Sequence, residues 1–146
     1  YGTSMDIESW MDLIKLVSWN FPGLETEADI ESHRKTVLRF MDENRALCVK
    51  ETDKVVGVLL ISKKHNMICC LAVAPEYRRN GIASLLLKKA LSELDRFRDI
   101  TVTTFRDNDE KGIAARALYK RFGFAEEKLM VENDYPVQRF VLRGNV

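Results

Sequence analysis

The sequence predicts an α/β fold: an α+β mixed sheet, mostly antiparallel, flanked by helices. Three observations predict it. Residues 6–42 carry apolar side chains at helical spacing, three strand-like apolar runs follow with short polar turns between them, and the second half alternates strand and helix.

Each element has a local reason. From Asp6 to Trp19, the residues Ile7, Trp10, Met11, Ile14 and Val17 recur every three or four positions, and Asn20-Phe21-Pro22-Gly23 stops the helix. A second helix is predicted from Glu27 to Asp42, with Ile30, Val37, Phe40 and Met41 on one side and Thr26 and Asp29 forming a capping box at its start. Ala46 to Lys50 and Val55 to Ile61 read as a hairpin around a polar turn, the second strand apolar enough to be covered on both faces. Met67 to Val73 is a third strand. A helix from Ile82 to Arg96 would bury Ile82, Leu85, Leu86, Ala90, Leu94 and Phe97. Ile100 to Phe105 is a β-branched strand, Gly112 to Arg121 a helix with Gly123 as its C-terminal cap, and Phe124 to Val131 and Val137 to Leu142 the last strands, turned by Asn133-Asp134-Tyr135-Pro136.

Composition narrows the function classes. The 146 residues fit one domain, 1–146, with Tyr1 to Ser4 read as a remnant ahead of Met5. The charge is balanced, 23 Lys and Arg against 22 Asp and Glu, which argues against nucleic acid as a partner. No apolar run approaches a membrane span, so no membrane partner is expected. Cys48, Cys69 and Cys70 form neither a disulfide framework nor a metal or redox spacing, and the adjacent pair reads as buried small side chains. A reducing cytoplasm fits this cysteine usage.

The chemistry concentrates between Val73 and Ser84. An apolar strand enters Ala74-Pro75-Glu76-Tyr77-Arg78-Arg79-Asn80-Gly81, and a helix begins. The first-turn N–H groups of a helix lack internal partners and carry partial positive charge, a position that suits a phosphate. Gly81 allows close approach, Ala83 keeps the first turn open, and Arg78 and Arg79 add charged donors. An exposed basic turn is the competing reading. Neither G-x-x-x-x-G-K-[ST] nor G-x-G-x-x-G occurs, so the ligand is neither a P-loop nucleotide nor a dinucleotide.

Val73-Ala74-Pro75-Glu76-Tyr77-Arg78-Arg79-Asn80-Gly81-Ile82-Ala83 resembles the signature of the GNAT superfamily of acetyl-CoA-dependent N-acetyltransferases. The Q/R-x-x-G-x-G/A core is matched by Arg78, Gly81 and Ala83. Ala117-Leu118-Tyr119-Lys120-Arg121-Phe122-Gly123-Phe124 resembles the family's late L-Y-x-x-x-G-F helix end, and the order of elements agrees over nearly the whole chain. The resemblance implies a GNAT-like fold and acetyl-CoA as co-substrate, with no metal. It also implies that the Leu71, Ala72 and Val73 backbone pairs with the pantetheine arm, and that the amides of Arg79, Asn80, Gly81, Ile82, Ala83 and Ser84 cradle the pyrophosphate beside Arg78. Tyr119 would stand at the thioester sulfur as general acid, the competing reading being a helix-face aromatic packed on the core. The acceptor would be an amine on a small molecule or a peptide, attacking a thioester carbonyl polarised by an N–H near Val73.

Three departures from the family pattern bear on this. The strand Met67-Ile68-Cys69-Cys70-Leu71 holds no acid to serve as base, while Glu76 and His65 read as exposed loop residues. Deprotonation falls to water and backbone carbonyls, or to the acids Glu25, Glu27, Asp29 and Glu31, which serve equally to favour a helix dipole. Gly112 stands where relatives carry a cofactor-contacting Asn, with Asn108 or Arg106 the nearest replacements. No strand is evident before the first helix, which leaves a sheet edge open and a homodimer conceivable. The acceptor wall is expected over Phe21 to Glu31 and Asn133 to Val137. A non-catalytic acyl-CoA-binding module on the same fold is the alternative function.

Overall fold

The computed structural model describes residues 1–145; Val146, the last residue of the expected domain, lies outside them. The elements are α1 (Ile7–Val17), α2 (Glu27–Asp42), β1 (Ala46–Glu51), β2 (Lys54–Ser62), β3 (Met67–Val73), α3 (Ile82–Glu93), β4 (Ile100–Phe105), α4 (Ile113–Arg121), β5 (Ala125–Glu132) and β6 (Tyr135–Leu142). Their order is the one the periodicities predict. One six-stranded sheet results, ordered β1-β2-β3-β4-β6-β5, in which only β3 and β4 run parallel.

β2 shows why its sequence is apolar throughout. Val58 and Leu60 point into a core with Trp10, Ile14, Val17 and Val37 of α1 and α2. Leu59 and Ile61 point into a second core with Leu87, Ala90, Ile100 and Phe140, under α3 and α4. Each fully buried aliphatic side chain of this kind contributes about 1.5–3 kcal/mol. Gly57 lets α3 approach: a Cβ there would lie 2.5 Å from Ile82 Cγ2. Thus a glycine on β2 fixes where the first turn of α3 sits.

The helix starts and stops have local causes. Thr26 and Asp29 form the predicted capping box, with Asp29 N–H donating to Thr26 Oγ1 at 3.0 Å and Thr26 N–H to Asp29 Oδ2 at 3.2 Å. α3 stops earlier than predicted. Leu94 turns to extended backbone, and Phe97, expected on the buried face, is 80% exposed. Leu85 is exposed as well, because Leu86 and Leu87 take the buried stripe instead. No strand precedes α1 among the described residues. Gly2 N–H bonds Ala46 O at 2.9 Å and stands against Trp10, so the first residues lie at the start of the β1 edge.

The feature that positions the site is the short pairing of β3 with β4. Only Met67 with Thr101 and Ile68 with Val102 are in register, after which the strands part. The reason lies on the other side of β3. Leu60 of β2 pairs with Cys70 and Ile61 with Ile68, so Cys69 is the extra residue of a β-bulge. A bulge bends its strand and increases the local twist, and here it swings the rest of β3 away from β4.

Asn66 pins the closed end of this V. It is buried, left-handed at φ 52°, and its amide donates to Asp95 O (2.9 Å) and Asp99 O (3.0 Å) while accepting from Asp95 N–H (2.8 Å). Its own carbonyl receives Thr101 N–H at 3.3 Å. Replacing Asn66 with Ala leaves three partly buried backbone groups, the Asp95 N–H and the Asp95 and Asp99 carbonyls, without this partner at once. The expected result is a loss of about 2–3 kcal/mol in urea unfolding, and a loss under 0.5 kcal/mol would show that the pivot lies elsewhere.

Candidate active site

Two adjoining cavities occupy the V. The first, about 230 Å³, lies between Cys69–Leu71 of β3 and Val102–Phe105 of β4. The second, about 520 Å³, runs from Leu71–Val73 to the start of α3, with Ala114, Ala115 and Ala117 of α4 opposite. Asn20, Phe21, Leu71, Lys111 and Ala115 line both, so the two spaces meet.

The backbone of β3 faces this opening. Ala74 N–H bonds Val56 O at 2.9 Å on the β2 side. Alternation along a strand therefore turns the N–H and C=O groups of Leu71 and Val73 to the free edge. At the far end the loop enters α3 through two left-handed residues, Arg79 at φ 67° and Gly81 at φ 75°. Nothing lies within 4 Å of where a Gly81 Cβ would be, so the first turn of α3 is open to an approaching group.

Of the eleven residues the sequence singles out, Leu71, Ala72, Val73, Arg78, Arg79, Gly81, Ile82, Ala83 and Ser84 line the second cavity, and Tyr119 lines the first. Asn80 is not on either wall. Its side chain turns back, donating from Nδ2 to Tyr77 O at 3.2 Å, and so braces the loop. The sequence reading missed Lys111 and Arg121. With Arg78 and Arg79 they give the second cavity four cationic residues among the described residues, none of which lines it with a carboxylate.

Tyr119 is held by the helix end that follows it. Gly123 sits at φ 93°, its N–H bonds Lys120 O at 3.0 Å, and Phe124 N–H bonds Tyr119 O at 3.0 Å. This is a Schellman closure, with its expected apolar contact: the Tyr119 and Phe124 rings stand 5.7 Å apart. Phe140 braces the ring from the sheet at 6.0 Å. One turn earlier, buried Arg116 donates to Phe105 O (3.0 Å) and Gln138 Oε1 (2.9 Å) and pairs with Glu126 (3.0 Å), tying α4 to β4, β6 and β5. The ring of Tyr119 is packed in the core, as its helix-face reading expects, and the residue also lines the first cavity. Burial first, and then the nearby Cys70, raise its pKa, so the hydroxyl stays protonated.

The cysteine pair departs from expectation. Cys69 is exposed and Cys70 only half-buried, because the bulge and the parting of β4 uncover them. Both touch the first cavity. The walls around Cys70 nevertheless displace enough water to push its thiol up to about 12.

The acids of the α1–α2 region serve local structure. Glu25 accepts from Gly23 N–H at 3.0 Å and Asp29 caps α2, and neither they nor Glu27 and Glu31 line a cavity. Of the expected acceptor wall, Phe21, Pro22, Asn133 and Val137 do line the first cavity. His65 and Glu76 are exposed, as read. Gly112 has a steric cause: a Cβ there would lie 2.8 Å from Phe105 Cβ. Its suggested replacements do not fill the role. Arg106 is engaged with Val137 O (3.2 Å) and Met130 O (3.0 Å), and Asn108 lines neither cavity.

The sequence model of the acetyltransferase (GNAT) family matches residues 8–124. The chain belongs to that family. No curated protein matches this acetyltransferase, but solved structures share its fold. A GNAT-family acetyltransferase from Bacillus cereus ATCC 10987 superposes with a TM-score of 0.73 at 21% identity, covering 99% of this chain and 95% of that one. Ard1 from Thermoplasma volcanium gives 0.72 at 20% identity, with the same coverage. The PaiA N-acetyltransferase from Thermoplasma acidophilum, solved in complex with coenzyme A, gives 0.66 at 18% identity and covers 94% of each chain.

The acetyltransferase's cavity thiol yields a direct test. A thiol with its pKa near 12 holds about three thousandfold less thiolate at neutral pH than a free cysteine near 8.5. Because the thiolate reacts, iodoacetamide at pH 7.5 should leave Cys70 unmodified over times that fully alkylate free cysteine. Modification should rise as pH climbs toward 12. Fragment masses distinguish Cys70 from Cys69, and rapid alkylation of Cys70 at pH 7.5 would contradict this account of the cavity.

Proposed function

We propose that this acetyltransferase moves the acetyl group of acetyl-CoA to a primary amine, carried by a small molecule or by a peptide, through direct attack with both reactants bound. One observation carries the reading. A cavity with four cations and, among the described residues, no carboxylate begins at the open first turn of α3 and runs into the space lined by Tyr119. A polyanion with a thioester at its far end fits that sequence of environments. The solved relative with coenzyme A supports the same ligand class.

Acetyl-CoA is a reactant here and supplies the thioester. The amides at the start of α3, with Arg78, Arg79 and Arg121 around them, bind the phosphates. The free edge of β3 takes the pantetheine amides as a neighbouring strand would, and a Leu71 or Val73 N–H is available to polarise the thioester carbonyl. Holding both reactants in one V supplies proximity.

Tyr119 donates to the departing sulfur. A phenol is a weak acid toward an ordinary thiolate, but Cys70 gauges what this cavity does to sulfur: it pushes a thiol up to about 12. A thiolate leaving into the same space is made more basic in the same way, so it takes a proton more readily there than in water.

Two variants test the reading. Tyr119→Phe should lower turnover about a hundredfold or more, with acetyl-CoA binding by calorimetry unchanged; unchanged turnover removes Tyr119 from the chemistry. Gly81→Glu brings a carboxylate and a strained φ of 75° to the phosphate end and should abolish saturable acetyl-CoA binding. Retained binding in that variant, or none by the unmodified chain, would refute the assignment of the second cavity.

A further inference from the structure

An ammonium must lose a proton before it can attack, and β3 offers no acid to take it. Among the described residues, Glu132 is the one carboxylate on the wall of the 230 Å³ cavity. It ends β5 immediately before a two-residue turn, Asn133-Asp134, whose φ values of 51° and 60° define type I′. The hairpin tip is fixed in place. Asn133 Nδ2 donates to Pro22 O at 3.5 Å, and Arg106 clamps the Met130 and Val137 carbonyls. Thr103 Oγ1 of β4 donates to Glu132 Oε1 at 2.9 Å and draws the carboxylate over the parted strand. The residue is otherwise exposed, so a proton collected there passes readily to water.

A second, independent observation points to an incoming donor. Asn20 Oδ1 is buried without a hydrogen-bond partner, and Asn20 lines both cavities where they meet. A buried acceptor left unpaired costs about 1–3 kcal/mol, a cost relieved if a bound N–H donates to it.

We propose that Glu132 is the base that receives the proton of a cationic primary amine, and that Asn20 Oδ1 accepts a second N–H from the same nitrogen. The inference rests on the amine-acetylation reading above. Glu132 takes one proton from R–NH3⁺. The freed lone pair forms the N–C bond, and the C–S bond breaks with its electron pair on sulfur. Tyr119 gives that sulfur a proton and is restored by the proton the nitrogen sheds on becoming an amide. Glu132 releases its own proton to solvent. The balance is ammonium plus thioester to amide, thiol and one proton. The other titratable or charged groups facing this cavity are Cys69 and Cys70 from β3, Tyr119 from α4 and Lys111 ahead of it, with Asp134 next in the turn and Arg106 beneath the hairpin.

The test uses the whole chain with benzylamine, 1,4-diaminobutane and a short peptide with a free Ala N-terminus, the fastest acceptor being carried forward. In Glu132→Gln, kcat/KM for that amine at pH 7 should fall about a hundredfold, with acetyl-CoA binding retained. The gap to wild type should close as pH passes the amine's own pKa, because solution then supplies the neutral amine; Glu132→Asp should recover part of the rate at pH 7. Asn20→Ala should raise KM for the amine and leave the pH profile in place. A Glu132→Gln deficit constant at every pH, or loss of acetyl-CoA binding in that variant, overturns Glu132 as base. An unchanged KM in Asn20→Ala overturns the second contact. Acetyl-CoA binding without turnover of any of the three amines overturns the cationic-amine class. Failure of the wild-type chain to bind acetyl-CoA overturns the acetyltransferase reading, and this inference with it.

Discussion

Two residue pairs, Met67 with Thr101 and Ile68 with Val102, are all that join β3 to β4, and both cavities follow from that brevity. A continuous parallel pairing would consume the N–H and C=O groups of Leu71 and Val73 in the sheet and leave no space between the strands. The bulge at Cys69 prevents it by bending β3 just past the second pair. Asn66 holds the closed end, so the strands diverge from a fixed point. A buried sheet interior thus acquires polar backbone groups that a ligand can satisfy, at the cost of a few ladder hydrogen bonds that the Asn66 cluster and the two cores offset.

The glycine punctuation of the chain is backbone geometry first and chemistry second. Gly57 has no side chain because Ile82 occupies its place, and this brings the first turn of α3 against the sheet. Gly81 and Arg79 take left-handed backbone and open that turn toward the cavity. Gly123 closes α4, and the next residue, Phe124, packs on the Tyr119 ring. The run from Leu118 to Phe124 is therefore one locking device: the glycine permits the chain reversal, the reversal brings Phe124 back, and the orientation of Tyr119 is thereby restricted.

Charge divides the V into two environments. Where the second cavity meets the start of α3 it has Arg78, Arg79 and Arg121 and, among the described residues, no acid on its walls, whereas Glu132 lines the other cavity and Lys111 touches both. The formal net charge of +1 gives no hint of this, because a balanced total is compatible with strong local separation. Between the two ends, desolvation takes over. The same walls that raise the Cys70 thiol keep the Tyr119 hydroxyl protonated.

The sequence by itself determined the elements, their order and the ends of most helices, because those depend on neighbours a few residues apart. Apolar spacing in α1, the Thr26–Asp29 box and the cap at Gly123 are all short-range effects. Nine of the ten residues the sequence named for a cofactor lie together on the second cavity, since a strand, a glycine turn and a helix start are contiguous in the chain; Asn80 does not, because its side chain bonds backward within the loop. Only the tertiary structure decided the rest. Cys69 and Cys70 read as buried in an apolar run, yet the bulge that exposes them is a matter of register with β2. The acids near α2 looked available for an amine, yet Glu25 and Asp29 are spent on local hydrogen bonds. Glu132 carries no local signal at all. It reaches the cavity because the β5–β6 hairpin tip is anchored to Pro22, 111 residues away in the chain, and to Thr103 on β4. Separations of that length leave no periodicity to read, so the carboxylate becomes visible only once the chain is folded.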